Sequence, residues 1–262
     1  MATKTEPMKD MQAEPDFRRI DIDKVGVKDI SYPIVVLDKV NKFQHTIAMV
    51  NMYVDLPHQF KGTHMSRFVE ILNEYRGEVT IKNFPDILCE MKSRFEAGTA
   101  HLEVEFPYFI EKAAPVSKLK GLMEYKCKYT GSLSNELDIQ IEVRVPVSTL
   151  CPCSKEISER GAHNQRGEVK VAVRFDGFVW IEDIIETVER SASSPVYSLL
   201  KRVDEKFVTE QAYDNPKFVE DVVRDVAVNI GEMPEIKWFR VEVENWESIH
   251  NHSAYAYLEK HN

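Results

Sequence analysis

The sequence is poor in cysteine, with four thiols among 262 residues. Cys89 and Cys127 each stand alone inside stretches of regular periodicity. A disulfide framework of the kind that staples small secreted domains is therefore not expected, and a reducing cytoplasm is the fitting compartment. Positive charge is also in deficit: 43 Asp and Glu against 34 Lys and Arg leave a net charge of −9. That balance argues against nucleic acid as the main partner, although a local basic pocket can still hold the phosphates of a nucleotide. No run approaches the roughly 20 apolar residues of a membrane helix, so no membrane partner is expected. The opening residues, Met1 to Met8, carry no apolar stretch, and no signal peptide is expected. Residues 1–17, polar and broken by Pro7 and Pro15, read as a disordered tail.

What is present suffices for a sizeable core: 43% of residues are apolar and 29% charged. The length allows one large domain or two modules. Strand signals occupy Tyr32 to Leu37 and Thr46 to Val54. Two helices are expected next. One runs from a Thr63 cap through Phe68, Ile71, Leu72 and Tyr75 to a stop at Gly77; the other runs from Pro85 to Gly98. Alternation returns at Leu102–Phe106 and Leu122–Tyr129. The second half repeats the order, with strands at Leu137–Val145 and Val169–Phe175 and helices at Ile181–Val188 and Pro216–Ile230. Strands at Ile236–Val243 and Ser253–Leu258 close the chain. Two copies of ββααββ, offset by roughly a hundred residues, suggest an α+β fold made by duplication of a module with antiparallel sheets. The expected boundaries are 18–134 and 135–262.

Chemistry concentrates in Leu150-Cys151-Pro152-Cys153-Ser154 and in His163, ten residues after Cys153. Alone, a Cys-Xaa-Cys pair is two metal ligands, a short strained disulfide, or two incidental buried thiols. His163, in the donor-rich run Gly161 to Gly167, favours a metal or catalytic site. No cysteine follows Cys153, so a site of four thiolates requires Cys89 and Cys127 to converge with the pair. An open site completed by carboxylate or water is the simpler arrangement, and open sites are the catalytic kind. Carboxylates are available between Lys201 and Glu210 and at Glu220, where a solvated connection and the polar face of a helix are the plainer alternatives. His250 and His252, one residue apart before the last strand, point to acid–base or ligand chemistry. Lys61, His64 and Arg67 surround an expected helix N-terminus, which reads equally as a capped surface helix or as a phosphate cradle.

The run Ser148 to Ser158, with Gly161 to Arg166, resembles the signature of the type IB GTP cyclohydrolase I family. Lys61 to Phe68, Asp204 to Glu210 and Glu247 to Tyr255 resemble further motifs of that family, and the similarity extends from about Val25 to the end. The resemblance implies a tunnelling fold, with two ββααββ modules per chain and a homotetramer whose active sites lie at subunit interfaces. It implies conversion of GTP and water to 7,8-dihydroneopterin triphosphate and formate, the entry to folate and to deazaguanine-modified tRNA nucleosides. It implies one divalent ion per active site (zinc, manganese or iron) on Cys151, His163 and Glu205. A bound metal lowers the pKa of water from about 16 toward 7. The mixed donors do not select among the three metals. By the same resemblance Cys153 is the non-ligand thiol beside the purine and Glu220 anchors the guanine N1–H and 2-amino group. His250 is then the general acid–base, near the metal shell, and Lys61, His64 and Arg67 meet the triphosphate. Competing expectations are a tunnelling-fold nitrile reductase, a cyclohydrolase forming a cyclic phosphate, and a non-enzymatic protein stapled by a structural metal.

Overall fold

The computed structural model describes residues 11–12, 14–76 and 79–262. Most of the expected tail and the expected helix stop at Gly77 lie outside the described residues. The chain forms two compact units: Met1–Leu37, His45–Val104 and Thr130–Asp138 in the first, and Asp38–Gln44, Glu105–Tyr129 and Ile139–Asn262 in the second.

In the first unit, strands β1 (Ile22–Asp38) and β2 (Lys42–Leu56) precede helices α1 (Met65–Glu74) and α2 (Phe84–Arg94). Portions of β3 (Ala100–Ala113) and β4 (Lys120–Leu133) complete it, in the order β1-β2-β3-β4. Phe68, Ile71 and Leu72 of α1 and Phe84, Ile87, Leu88 and Met91 of α2 are buried. The i, i+3, i+4 spacing read from sequence is thus the packed stripe of each helix. Helix α1 starts one residue later than expected: His64 is its N-cap, and Thr63 is buried behind it.

In the second unit the sheet order is β3-β4-β5-β6-β8-β9, with β5 at Leu137–Leu150, β6 at Asn164–Phe175, β8 at Ile236–Trp246 and β9 at Ser253–His261. The two-residue β7 (Ser194–Pro195) pairs with β5. β5, β6, β8 and β9 each run antiparallel to their neighbours. Four further helices complete the unit: α3 (Pro152–Ile157), α4 (Ile181–Ser191), α5 (Arg202–Asp214) and α6 (Val219–Gly231). The stripe Ile181, Ile184, Ile185 and Val188 of α4 is buried, as are Val219, Val222, Val223, Val226 and Ile230 of α6. α6 packs on β8, β9 and α4. Each such side chain, fully buried, contributes about 1.5–3 kcal/mol. On β4, Cys127 is buried with Tyr125 and Tyr129, and burial, aided by the charge of Glu182, pushes its thiol pKa up.

The architecture is mixed α and β on antiparallel sheet, as the periodicity suggested. Two helices depart from the sequence reading. α3 is too short to show a period. α5 buries only Asp204 and Ala212, so the stretch read as a connection carries no apolar stripe. No helix among the described residues is long and apolar enough to cross a membrane.

Candidate functional site

The end of β5 delivers Cys151 to a junction of three backbone anchors. Leu150 N–H donates to Ser193 Oγ (3.1 Å), Lys217 N–H to Leu150 O (3.1 Å), and Cys151 N–H to His163 O (3.1 Å). Asn215 Nδ2 donates to Ala192 O (2.9 Å), tying the segment before α6 to the same place. Cys151 then serves as the N-cap of α3, its Sγ accepting from Ser154 N–H at 3.5 Å, and Pro152 occupies the first helical position. Ser154 closes the turn: its hydroxyl donates to Cys151 O (3.2 Å) and accepts from His163 N–H (3.1 Å). Gly161, at φ 148°, lets the chain return through a conformation that L side chains rarely adopt. Cys151 is half-buried and Cys153 exposed, and all four cysteines are free thiols, which removes the disulfide alternative.

His163 immediately precedes β6, and its ring is well covered. Nδ1 lies 3.1 Å from Gln165 Oε1, 3.4 Å from Ser248 Oγ and 3.9 Å from Glu247 Oε2. Gln165 is buried and donates through Nε2 to Thr149 Oγ1 (3.0 Å). Asn245 Nδ2 donates to the same hydroxyl (2.8 Å). Asn245 reaches it across Gly167, where an added Cβ would stand 2.2 Å from Asn245 Oδ1, so any side chain there would have to displace that amide. This buried group of Thr149, Gln165 and Asn245 escaped the sequence reading. Its signal is available: Thr149 continues the inward register of Val143, Val145 and Val147, and Gln165 that of Val169 and Val171. A polar residue at a core position of a strand requires partners.

The turn Glu247–His252 thus approaches His163 through Ser248 and Glu247. His250 lies on it, exposed, its ring stacked on His252 at 5.0 Å between centroids. Glu220 and Asp221 occupy the first turn of α6, where the helix dipole favours negative charge. Glu220 is exposed. Glu205 is exposed in the first turn of α5. Its neighbour Asp204 is fully buried and accepts from Val116 N–H (2.8 Å), Ser117 N–H (2.8 Å), Ser117 Oγ (2.6 Å) and Lys201 N–H (2.9 Å). Burial alone would raise the Asp204 pKa, but these hydrogen bonds outweigh it and hold the carboxyl far below the usual carboxylate range.

The donor chemistry of Cys151 and His163 suits a divalent transition ion: with Nδ1 engaged by Gln165, the imidazole has Nε2 to offer. No group of three His, Cys, Asp or Glu side chains able to hold a metal occurs among the described residues, so Glu205 does not join the pair within one chain. In the first unit, His64 and Arg67 line a hollow with Gln12, Phe60, Arg94 and Phe95. Arg94 is ion-paired to Glu74 and Glu90. Lys61 faces a neighbouring hollow with Asp16 and Arg18, and its N–H donates to Glu14 O (2.7 Å).

"GTP cyclohydrolase FolE2" of Syntrophotalea carbinolica is 65% identical over 252 residues, covering 96% of this chain and 95% of the relative. The protein of the same name from Geobacter sulfurreducens is 62% identical over 253 residues, covering 97% and 98%. Among solved structures, uricase from Arthrobacter globiformis superposes with a TM-score of 0.54 at 8% identity, over 91% of this chain and 92% of that one. A highly active mutant of Bacillus sp. TB-90 urate oxidase gives 0.51 at 10% identity, over 92% and 100%. At such identities the likeness speaks for the fold alone, which is T-fold-like. The model of the family described as type I GTP cyclohydrolase FolE2 matches residues 8–256, and the chain belongs to that family.

Proposed function

We propose that this chain is a type IB GTP cyclohydrolase I, converting GTP and water to 7,8-dihydroneopterin triphosphate and formate. The observation that carries this reading is family membership over nearly the whole chain, with relatives of that name above 60% identity. The product fits the first step of folate biosynthesis and supplies a precursor for deazaguanine tRNA nucleosides. The reading places the enzyme in the cytoplasm.

Cys151, His163 and Glu205 hold one divalent ion (zinc, manganese or iron), which when bound makes water acidic enough to give hydroxide at neutral pH. Glu220 accepts the guanine N1–H and 2-amino hydrogens, a two-oxygen acceptor matched to two adjacent donors. Cys153, an exposed thiol one helical position beyond Pro152, stands as proton donor or nucleophile beside the purine. His250 moves protons from the exposed turn that reaches His163. Lys61, His64 and Arg67 of a neighbouring subunit meet the triphosphate, where backbone N–H groups of a helix start favour anions. The assembly is a homotetramer of chains with two tunnelling-fold modules each. Support for interfacial sites comes from Glu205, Glu220 and His250, which are all exposed in the single chain.

The test incubates metal-stripped protein with GTP, with and without added manganese or zinc. Metal-dependent release of formate with a pterin product supports the reading. A folded, metal-loaded tetramer that releases no formate sinks it.

A further inference from the structure

We infer that Gln165 is a positioning residue for His163: its side-chain oxygen keeps the imidazole hydrogen on Nδ1 and so turns the Nε2 lone pair to the metal. This rests on the proposed reading of His163 as a ligand and goes beyond it by naming what prepares the ring. A neutral imidazole carries one hydrogen, and the partner of one nitrogen decides which nitrogen keeps it. Three groups compete for Nδ1. Gln165 Oε1 is nearest at 3.1 Å, against 3.4 Å for Ser248 Oγ and 3.9 Å for Glu247 Oε2. Gln165 is also the only one of the three that is buried, Ser248 being exposed and Glu247 intermediate.

In the structure the Gln165 amide turns its nitrogen to Thr149 and its oxygen to the His163 ring. Its Nε2 donates to Thr149 Oγ1 at 3.0 Å, which leaves Oε1, a pure acceptor, toward the ring. Asn245 Nδ2 shares Thr149 Oγ1 at 2.8 Å, and Asn245 itself is seated over Gly167, where a Cβ would push its amide away. The alternation of β6 puts Gln165 and Gly167 on one face, opposite Thr149 of β5 and Asn245 of β8. Donor-rich Gly161–Gly167 thereby gains a specific role: a rigid polar plug under the end of the sheet, aimed at one ring nitrogen. A group that orients a metal-binding histidine typically matters 10- to 100-fold in metal affinity.

The experiment compares wild type with Gln165→Leu, Gln165→Glu, Glu247→Gln and His163→Ala, all as full chains. Zinc affinity is measured by competition with a chelating indicator, and the His163 ring is observed by 15N NMR in the metal-free protein. We expect the wild-type ring as the Nδ1–H tautomer, a 10- to 100-fold weaker zinc site with loss of that tautomer in Gln165→Leu, and retention of both in Gln165→Glu. A purely structural role would not move the tautomer. An Nε2–H ring in wild type overturns the inference, because the amide would then be reversed and donating. So does Gln165→Leu with unchanged affinity and tautomer, or a ring released by Glu247→Gln instead. Failure of the underlying reading looks different: His163→Ala would keep its zinc.

Discussion

Within the second unit, the residues behind the candidate site and the residues at it are built in opposite ways. Thr149, Gln165, Asn245 and Asp204 are buried; Asp204 accepts four hydrogen bonds, and Gln165 and Asn245 both donate to Thr149. Cys153, Glu205, Glu220 and His250 are exposed, and among the described residues none lies in a metal-holding group within one chain. Buried polar groups of the first kind resist change, since losing one partner strands another away from water. Exposed groups of the second kind contribute little to the fold and remain available for chemistry. The contrast separates what fixes backbone geometry from what is proposed to perform the reaction. It also says which substitutions alter activity without altering stability.

The largest effects test the exposed set. Cys153→Ala should lower turnover about 10²- to 10⁴-fold while keeping the metal, as expected for a proton-transferring group. Cys151→Ala, by contrast, should lose metal and activity together. Metal analysis beside a formate assay checks both, and the opposite pattern would exchange the roles of the two thiols. Glu205→Ala should likewise abolish metal-dependent turnover yet shift unfolding free energy by no more than about 0.5 kcal/mol. A large stability loss there would erase the contrast.

Next come losses of packing and fit. Ile184→Ala, at a fully buried position of α4, should cost about 2–5 kcal/mol in urea unfolding. Gly167→Ala forces the Asn245 amide off Thr149 and should cost about 1–3 kcal/mol. Wild-type stability in that variant would mean the buried group relaxes freely. The smallest effect is conditional on pH. Asp204 has a depressed native pKa, so the stability it contributes is fully present above its unfolded value, about 3.9. That stability fades as pH falls below about 3.9 toward the native value. The Tm gap between wild type and Asp204→Asn should therefore be wide at pH 7 and narrow progressively below about pH 4. A gap that stays constant with pH would show that packing, not charge, is what Asp204 supplies.

Much of the fold was legible because burial imposes a period. Val143, Val145 and Val147 alternate, and Ile181, Ile184, Ile185 and Val188 recur at helical spacing. α5 was not legible, because the helix is held by its capped start at Asp204 and buries almost no apolar surface. The proximity of Cys151 and His163 was visible in sequence, since a tight turn brings together residues close along the chain. The placement of Glu205, Glu220 and His250 was not, because their positions depend on separate elements and no local rule relates them. Thr149, Gln165 and Asn245 were hidden for another reason: each merely interrupts an apolar alternation, and only the sheet register shows the interruptions to be neighbours.

Cys127 has a use independent of any catalysis. Its thiol is buried in β4 with a raised pKa, whereas Cys89 and Cys153 are exposed. Alkylating reagents react with thiolates they can reach, so the exposed pair is consumed first. Modification of Cys127 must then wait for its strand to open, which makes the rate of that late reaction a clock for opening of the sheet interior. A single side chain thus times the breathing of the protein from within, with no label added beforehand.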